Sequence, residues 1–160
     1  MEWATVGGFA LVTYIAIVTF FHLLFPEKHL DWTRVKLDNI EFPDGFTWGV
    51  ATAAHQIEGG NTNNWTQFEA SENKEPSGSA CDHWERWQQD HDLLVELGVN
   101  SYRFSIEWSR IEPNEGDWDM KVIEKYSAMV DSLIAKGIEP MITLHHFSHP
   151  IWFEEKGGFY

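Results

Sequence analysis

Two alternating periodicities constrain the fold of this chain more than any other feature. Residues 46–54 (FTWGVATAA), 99–108 (VNSYRFSIEW) and 138–147 (IEPMITLHHF) are short runs rich in β-formers and small residues, and each reads as a strand. Helical patterns separate them. In HWERWQQDHDLLVELG, Trp84, Trp87, Leu94 and Leu97 recur at helical spacing and Gly98 stops the run. Farther on, Val122, Ile123, Tyr126, Met129, Val130, Leu133 and Ile134 form an amphipathic stripe closed by Gly137. Each helix is long enough to return the chain to the start of a parallel neighbour, so strand, helix, strand, helix, strand predicts a parallel α/β sheet with right-handed crossovers. The polar stretch from Gly59 and Gly60 to about Asp82 reads as a loop.

Two architectures use this unit, the doubly wound sheet and the (β/α)8 TIM barrel. A dinucleotide-binding sheet needs a Gly-x-Gly-x-x-Gly turn after its first strand, and AAHQIEGGNTNNW has no such spacing. Polar and aromatic residues gather instead where the strands end: Gln56 and Glu58, then Glu107, Trp108 and Arg110, then residues 145–149. In a barrel that end is the catalytic face. Along the second strand Tyr102, Phe104 and Ile106 point one way, Arg103, Ser105 and Glu107 the other. A buried face carrying Arg and Glu needs partners; a barrel mouth lined with carboxylates or a structural Arg–Glu pair would each supply them.

The N-terminal segment follows different rules. Residues 3–25 contain no Asp, Glu, Lys or Arg, and about 20 apolar residues suffice for a helix to cross a bilayer. With Trp3 and Phe25 at its ends and Pro26 closing it, residues 1–26 are expected to be a single-pass transmembrane anchor. Glu2 and the following FPEKHLDW do not suit a cleaved signal. Lys28, Arg34 and Lys36 on the C-terminal side favour a membrane location with a cytoplasmic main domain. Residues 27–41 read as a connector and 42–160 as the α/β domain. With 11 Lys plus Arg against 25 Asp plus Glu, the net charge of −14 repels phosphate backbones and argues against a nucleic-acid partner. Cys81 is the only cysteine, so no intrachain disulfide or Cys-x-x-Cys site is possible.

Three blocks carry a resemblance. FPDGFTWGVATAAHQIEGG, LGVNSYRFSIEWSRIEP and GIEPMITLHHFSHPIW, followed by GGF at 157–159, resemble in order and spacing the N-terminal signatures of glycoside hydrolase family 1, retaining (β/α)8 β-glucosidases and β-galactosidases. The resemblance implies a β-glycoside substrate, no cofactor, and roles for three residues. Gln56 and His146 correspond to the family's contacts to the −1 sugar, and Arg103 to the cation beside the nucleophile. An amide suits adjacent hydroxyls because it offers a donor and an acceptor on one plane. A permanent guanidinium lowers the pKa of a neighbouring carboxylate.

The family's acid/base Glu lies in a Thr-x-Asn-Glu-Pro block and its nucleophile in a Thr-Glu-Asn-Gly block, and neither block occurs here. No catalytic residue is therefore assigned; Glu58, Glu107, Glu154 and Glu155 are not at those positions. The chain is expected to be an N-terminal fragment holding three of eight barrel units, inactive by itself. A non-catalytic carbohydrate-binding or interaction protein and one half of a split barrel remain open readings. Departures from the commoner family spelling at Phe147 (often Trp), Ser148 (often Asp) and Glu107 (often Ser) leave the sugar preference open. No metal site is expected, because His145 and His146 point to opposite faces of a strand and no His-Glu-x-x-His helix exists. His145 is expected behind the sheet as a core histidine. His149 lies past the strand end, with no role assigned.

Overall fold

The computed structural model describes residues 2–26, 31, 34 and 41–159. They fall in two compact units, Met1–Pro43 and Asp44–Tyr160. The first unit contains helix α1, Glu2–Leu24. Its continuous stretch of described side chains begins at Leu11, and from there to Phe25 every one is exposed. Among the described residues no helix is long and apolar enough to cross a membrane. This corrects the transmembrane anchor expected over residues 1–26, with its span at 3–25, and with it the membrane localisation, the membrane partner and the cytoplasmic orientation. Most of the connector expected at 27–41 lies outside the described residues.

The second unit is built on three parallel strands in the order β1 (Gly49–Ala51), β2 (Ser101–Ser105), β3 (Glu139–Thr143). Gly49 pairs with Ser101, Ser101 with Glu139 and Ser105 with Thr143, so the three strands start in step. All are shorter than the sequence runs that announce them. Trp48 N donates to the Asn100 side chain at 2.7 Å instead of to a strand, and Ala54 opens the short helix α2, Ala54–Ile57.

Between β1 and β2 lie α3 (Asn64–Ser71) and α4 (His83–Leu97); between β2 and β3 lie α5 (Trp108–Ile111) and α6 (Met120–Ala135), and α7 (Ile151–Glu154) follows β3. The Asp119 carboxylate starts α6 by accepting from Lys121 N at 2.9 Å, and Gly98 ends α4 at φ +75°, a conformation that favours glycine. The α6 stripe buries Tyr126, Met129 and Leu133 against Tyr102 and Phe104 of β2, whose rings stack at 5.4 Å. Each such side chain contributes about 1.5–3 kcal/mol by leaving water. Ile111 and Ile138 close the cluster, and Trp84 of α4 meets Tyr126 edge-on at 5.2 Å.

Helix α3 lies inside the stretch read as a loop. Its apolar signal is only Trp65 and Phe68, too little for a periodicity, and what defines it is a cap. The Asn63 side chain accepts from Thr66 N at 3.0 Å while Asn63 N donates to the Thr66 hydroxyl at 2.9 Å, so donors at the helix start are satisfied reciprocally.

Candidate functional site

At the C-terminal ends of the strands, Gln56 of α2 and His146, beyond β3, line one cleft of about 280 Å3 with Ala53, His55, Trp65, Glu69 and Phe147. Gln56 is exposed and His146 half-buried. Ala54 N donates to the Ser105 hydroxyl at 2.7 Å, which turns the chain out of β1 into α2. His55 is fixed on both ring nitrogens. Its Nδ1 faces the Asn63 amide nitrogen at 3.2 Å and must accept there, which leaves Nε2–H to donate to Glu69 Oε1 at 2.9 Å. The Ser77 backbone N–H, at 2.9 Å from the other Glu69 oxygen, and then His55 hold the Glu69 carboxyl below its ordinary pKa.

The opposite wall is the segment after β3. Phe147 adopts φ +67°, the left-handed region that disfavours a residue with a Cβ. Its carbonyl accepts from Asn64 Nδ2 at 3.1 Å and from Trp65 Nε1 at 2.9 Å. Asn64 also pairs with His149, which donates N–H to its side chain at 2.9 Å and accepts its backbone N–H at 3.1 Å. His145 does not pack behind the sheet: it is exposed, with its ring stacked on that of His149 at 5.8 Å and 4.7 Å from that of Phe159. The strand ends at Thr143, so strand alternation no longer governs residue 145 and the left-handed turn sets its direction. His149 is buried, with Nε2 at 2.6 Å from Glu154. Among the described residues, no group of three His, Cys, Asp or Glu side chains could hold a metal ion.

Arg103 is half-buried on β2, in register with Ala51 and Met141, and is not among the cleft-lining residues. Its guanidinium forms no ion pair among the described residues. Glu107 does not pair with it. That carboxylate is fully buried and accepts from the Ser109 and Ser148 hydroxyls, each at 2.8 Å. The Arg–Glu pair that does form is Arg110 with Glu58, Nε to Oε2 at 3.0 Å. Burial pushes Glu58 up to about 7 despite Tyr126, whose hydroxyl donates to it at 2.7 Å, and Arg110.

His55, Trp65 and Glu69 line the cleft without having been singled out from the sequence. The signal that could have found them is Asn63-x-x-Thr66, a capping pattern that would have placed Trp65 and Glu69 on a helix.

The model of Glycosyl hydrolase family 1 matches residues 38–160. Beta-glucosidase A of Thermotoga maritima is 40% identical over 129 residues, covering 74% of this chain and 29% of that protein. The structure of a beta-glycosidase from Pyrococcus horikoshii superposes with a TM-score of 0.70 at 48% identity, over 74% of this chain and 28% of that one. A Thermotoga maritima beta-glucosidase in complex with methoxycarbonyl-substituted glucoimidazole gives a TM-score of 0.69 at 40% identity, over 73% and 29%. The chain thus spans less than a third of the length of these relatives.

Proposed function

The chain belongs to glycosyl hydrolase family 1, its three strand units covering the N-terminal part of that family's TIM barrel, and from this premise we propose that its protein is a retaining β-glycosidase of β-glucosidase type. In this reading the segment supplies sugar recognition for a small-molecule or oligosaccharide β-glycoside. The observation that carries it is the meeting of Gln56 and His146 in one cleft walled by Trp65 and Phe147. Flat rings suit the apolar faces of a pyranose, and the amide and imidazole suit its hydroxyls. Arg103 supports the nucleophile: a half-buried, permanently charged guanidinium with no ion pair among the described residues favours ionisation of a carboxylate brought near it.

Retention requires two carboxyl groups about 5–5.5 Å apart, one acid/base and one nucleophile. The sequence blocks that carry them in the family do not occur in these 160 residues, and the buried Glu58 and Glu107 are engaged by Tyr126, Arg110, Ser109 and Ser148. The chain by itself is therefore expected to release no nitrophenol from an aryl β-glucoside above background. Turnover that disappears in Glu58→Gln or Glu107→Gln would reject this assignment. A purely carbohydrate-binding role is the second reading, favoured by the same combination of sugar-facing residues without those blocks. Grafting residues 38–160 in place of the matching segment of the Thermotoga maritima enzyme separates the two. Measurable kcat that falls in Gln56→Ala and His146→Ala supports the glycosidase; a folded graft that binds glucoimidazole without turnover supports the binder.

A further inference from the structure

The cleft depends on where the segment after β3 points His146, and this segment is held from two sides. Phe147 sits at φ +67°, a conformation unfavourable to a non-glycine residue that persists only when its surroundings impose it. On one side Asn64 and Trp65 hold the Phe147 carbonyl. On the other side the next residue, Ser148, is buried and donates its hydroxyl to Glu107 Oε2 at 2.8 Å.

Glu107 is itself pinned at the end of β2. Its backbone N–H donates to the Tyr126 hydroxyl at 2.9 Å, and its other oxygen accepts from the Ser109 hydroxyl at 2.8 Å. A fully buried carboxylate with every oxygen engaged is a stiff anchor, because losing a partner leaves desolvated charge uncompensated.

We propose that Glu107 is a positioning residue whose hydrogen bond to Ser148 locks the left-handed turn at Phe147 and so aims His146 into the cleft. The proposal rests on the sugar-site reading of that cleft. Glu107 touches no sugar in this account and acts only through the turn. A residue that merely stabilised the fold would lower the thermal midpoint without moving His146 or its ligand affinity.

The test uses the full 160-residue chain, ring-labelled histidine observed by NMR, and methoxycarbonyl-substituted glucoimidazole as the probe. Ser148→Ala and Glu107→Ser should each shift the His146 ring resonances and the 146–149 amides and weaken the probe's Kd by about fivefold, the effect of one buried hydrogen bond. The double variant Glu107→Ser/Ser148→Asp, which keeps an acid and a hydroxyl at the contact with their places exchanged, should restore the resonances and bring Kd to within about twofold of the unaltered chain. Unshifted His146 resonances in both folded single variants, or a folded double variant no better than the worse single one, would overturn the proposal. If the probe binds not even the unaltered chain, the sugar-site reading fails, and the resonances still judge the turn.

Discussion

Gln56 and His146 are brought into one cleft across ninety positions of sequence, and the proposed sugar site draws on both because a sugar is recognised by several directed hydrogen bonds at once. Removing one such bond from a desolvated site costs about 1.5–3 kcal/mol when its partner gains charge in the transition state. Gln56→Ala and His146→Ala in the grafted barrel should therefore lower kcat/KM by roughly ten- to a hundred-and-fifty-fold with the fold retained. Steady-state kinetics beside a thermal melt checks this, and unchanged kcat/KM would mean that the two side chains are bystanders. His145 behaves differently. Exposed beside Phe159, it should tolerate His145→Ala with a stability change within about 0.5 kcal/mol by urea denaturation. Its core placement failed because the strand pattern was extended two residues past Thr143, where the backbone leaves the sheet.

At the scale of the element, helices α4 and α6 were legible because each lays a stripe on the sheet, and that burial fixes both their type and their length. Helix α3 has no such stripe and is held by its cap and by Asn64 and Trp65 reaching the turn after β3. The Asn63 side chain is fully buried and joins the cap to His55, so it ties α3 to the element that carries Gln56. Asn63→Ala should destabilise the chain by about 1–2 kcal/mol, and hydrogen exchange should show amides 64–71 losing protection before those of α4 and α6. Equal protection across all three helices would show that the cap is dispensable. The anchor expected at the N-terminus is the counterexample at this scale: an uncharged run of letters predicted a span that the described part of α1 does not provide.

For the whole α/β unit, two buried groups make stability depend on pH with opposite signs. Burial raises Glu58 to about 7 from 4.5, so the folded state holds its proton more tightly; that stability is present below about 4.5 and is lost as pH rises through 7. Burial, and then His83, lowers His91 to about 4 from 6.5, so its contribution is present above 6.5 and is lost as pH falls through 4. Each shift corresponds to at most about 3 kcal/mol. Between pH 4.5 and 6.5 the two oppose each other. Glu58→Gln should therefore gain stability relative to the unaltered chain as pH rises from 4.5 to 7, and His91→Gln should gain it relative to the same reference as pH falls from 6.5 to 4. Urea unfolding at half-unit steps measures both; differences independent of pH would mean that neither group titrates with folding.

By itself, the sequence determined the order of the three strands and of the two long helices between them, α4 and α6, the parallel sheet, the family, and Gln56 and His146 as candidates. Those follow from periodicity, glycine stops and local motifs, all carried by neighbours in the chain. Only the tertiary structure decided that Arg110, not Arg103, pairs with a buried glutamate, that Glu107 reaches Ser148, and that α3 braces the turn at Phe147. Each of these joins residues from different elements, and which polar group meets which in a buried interior is set by packing geometry that no periodicity encodes.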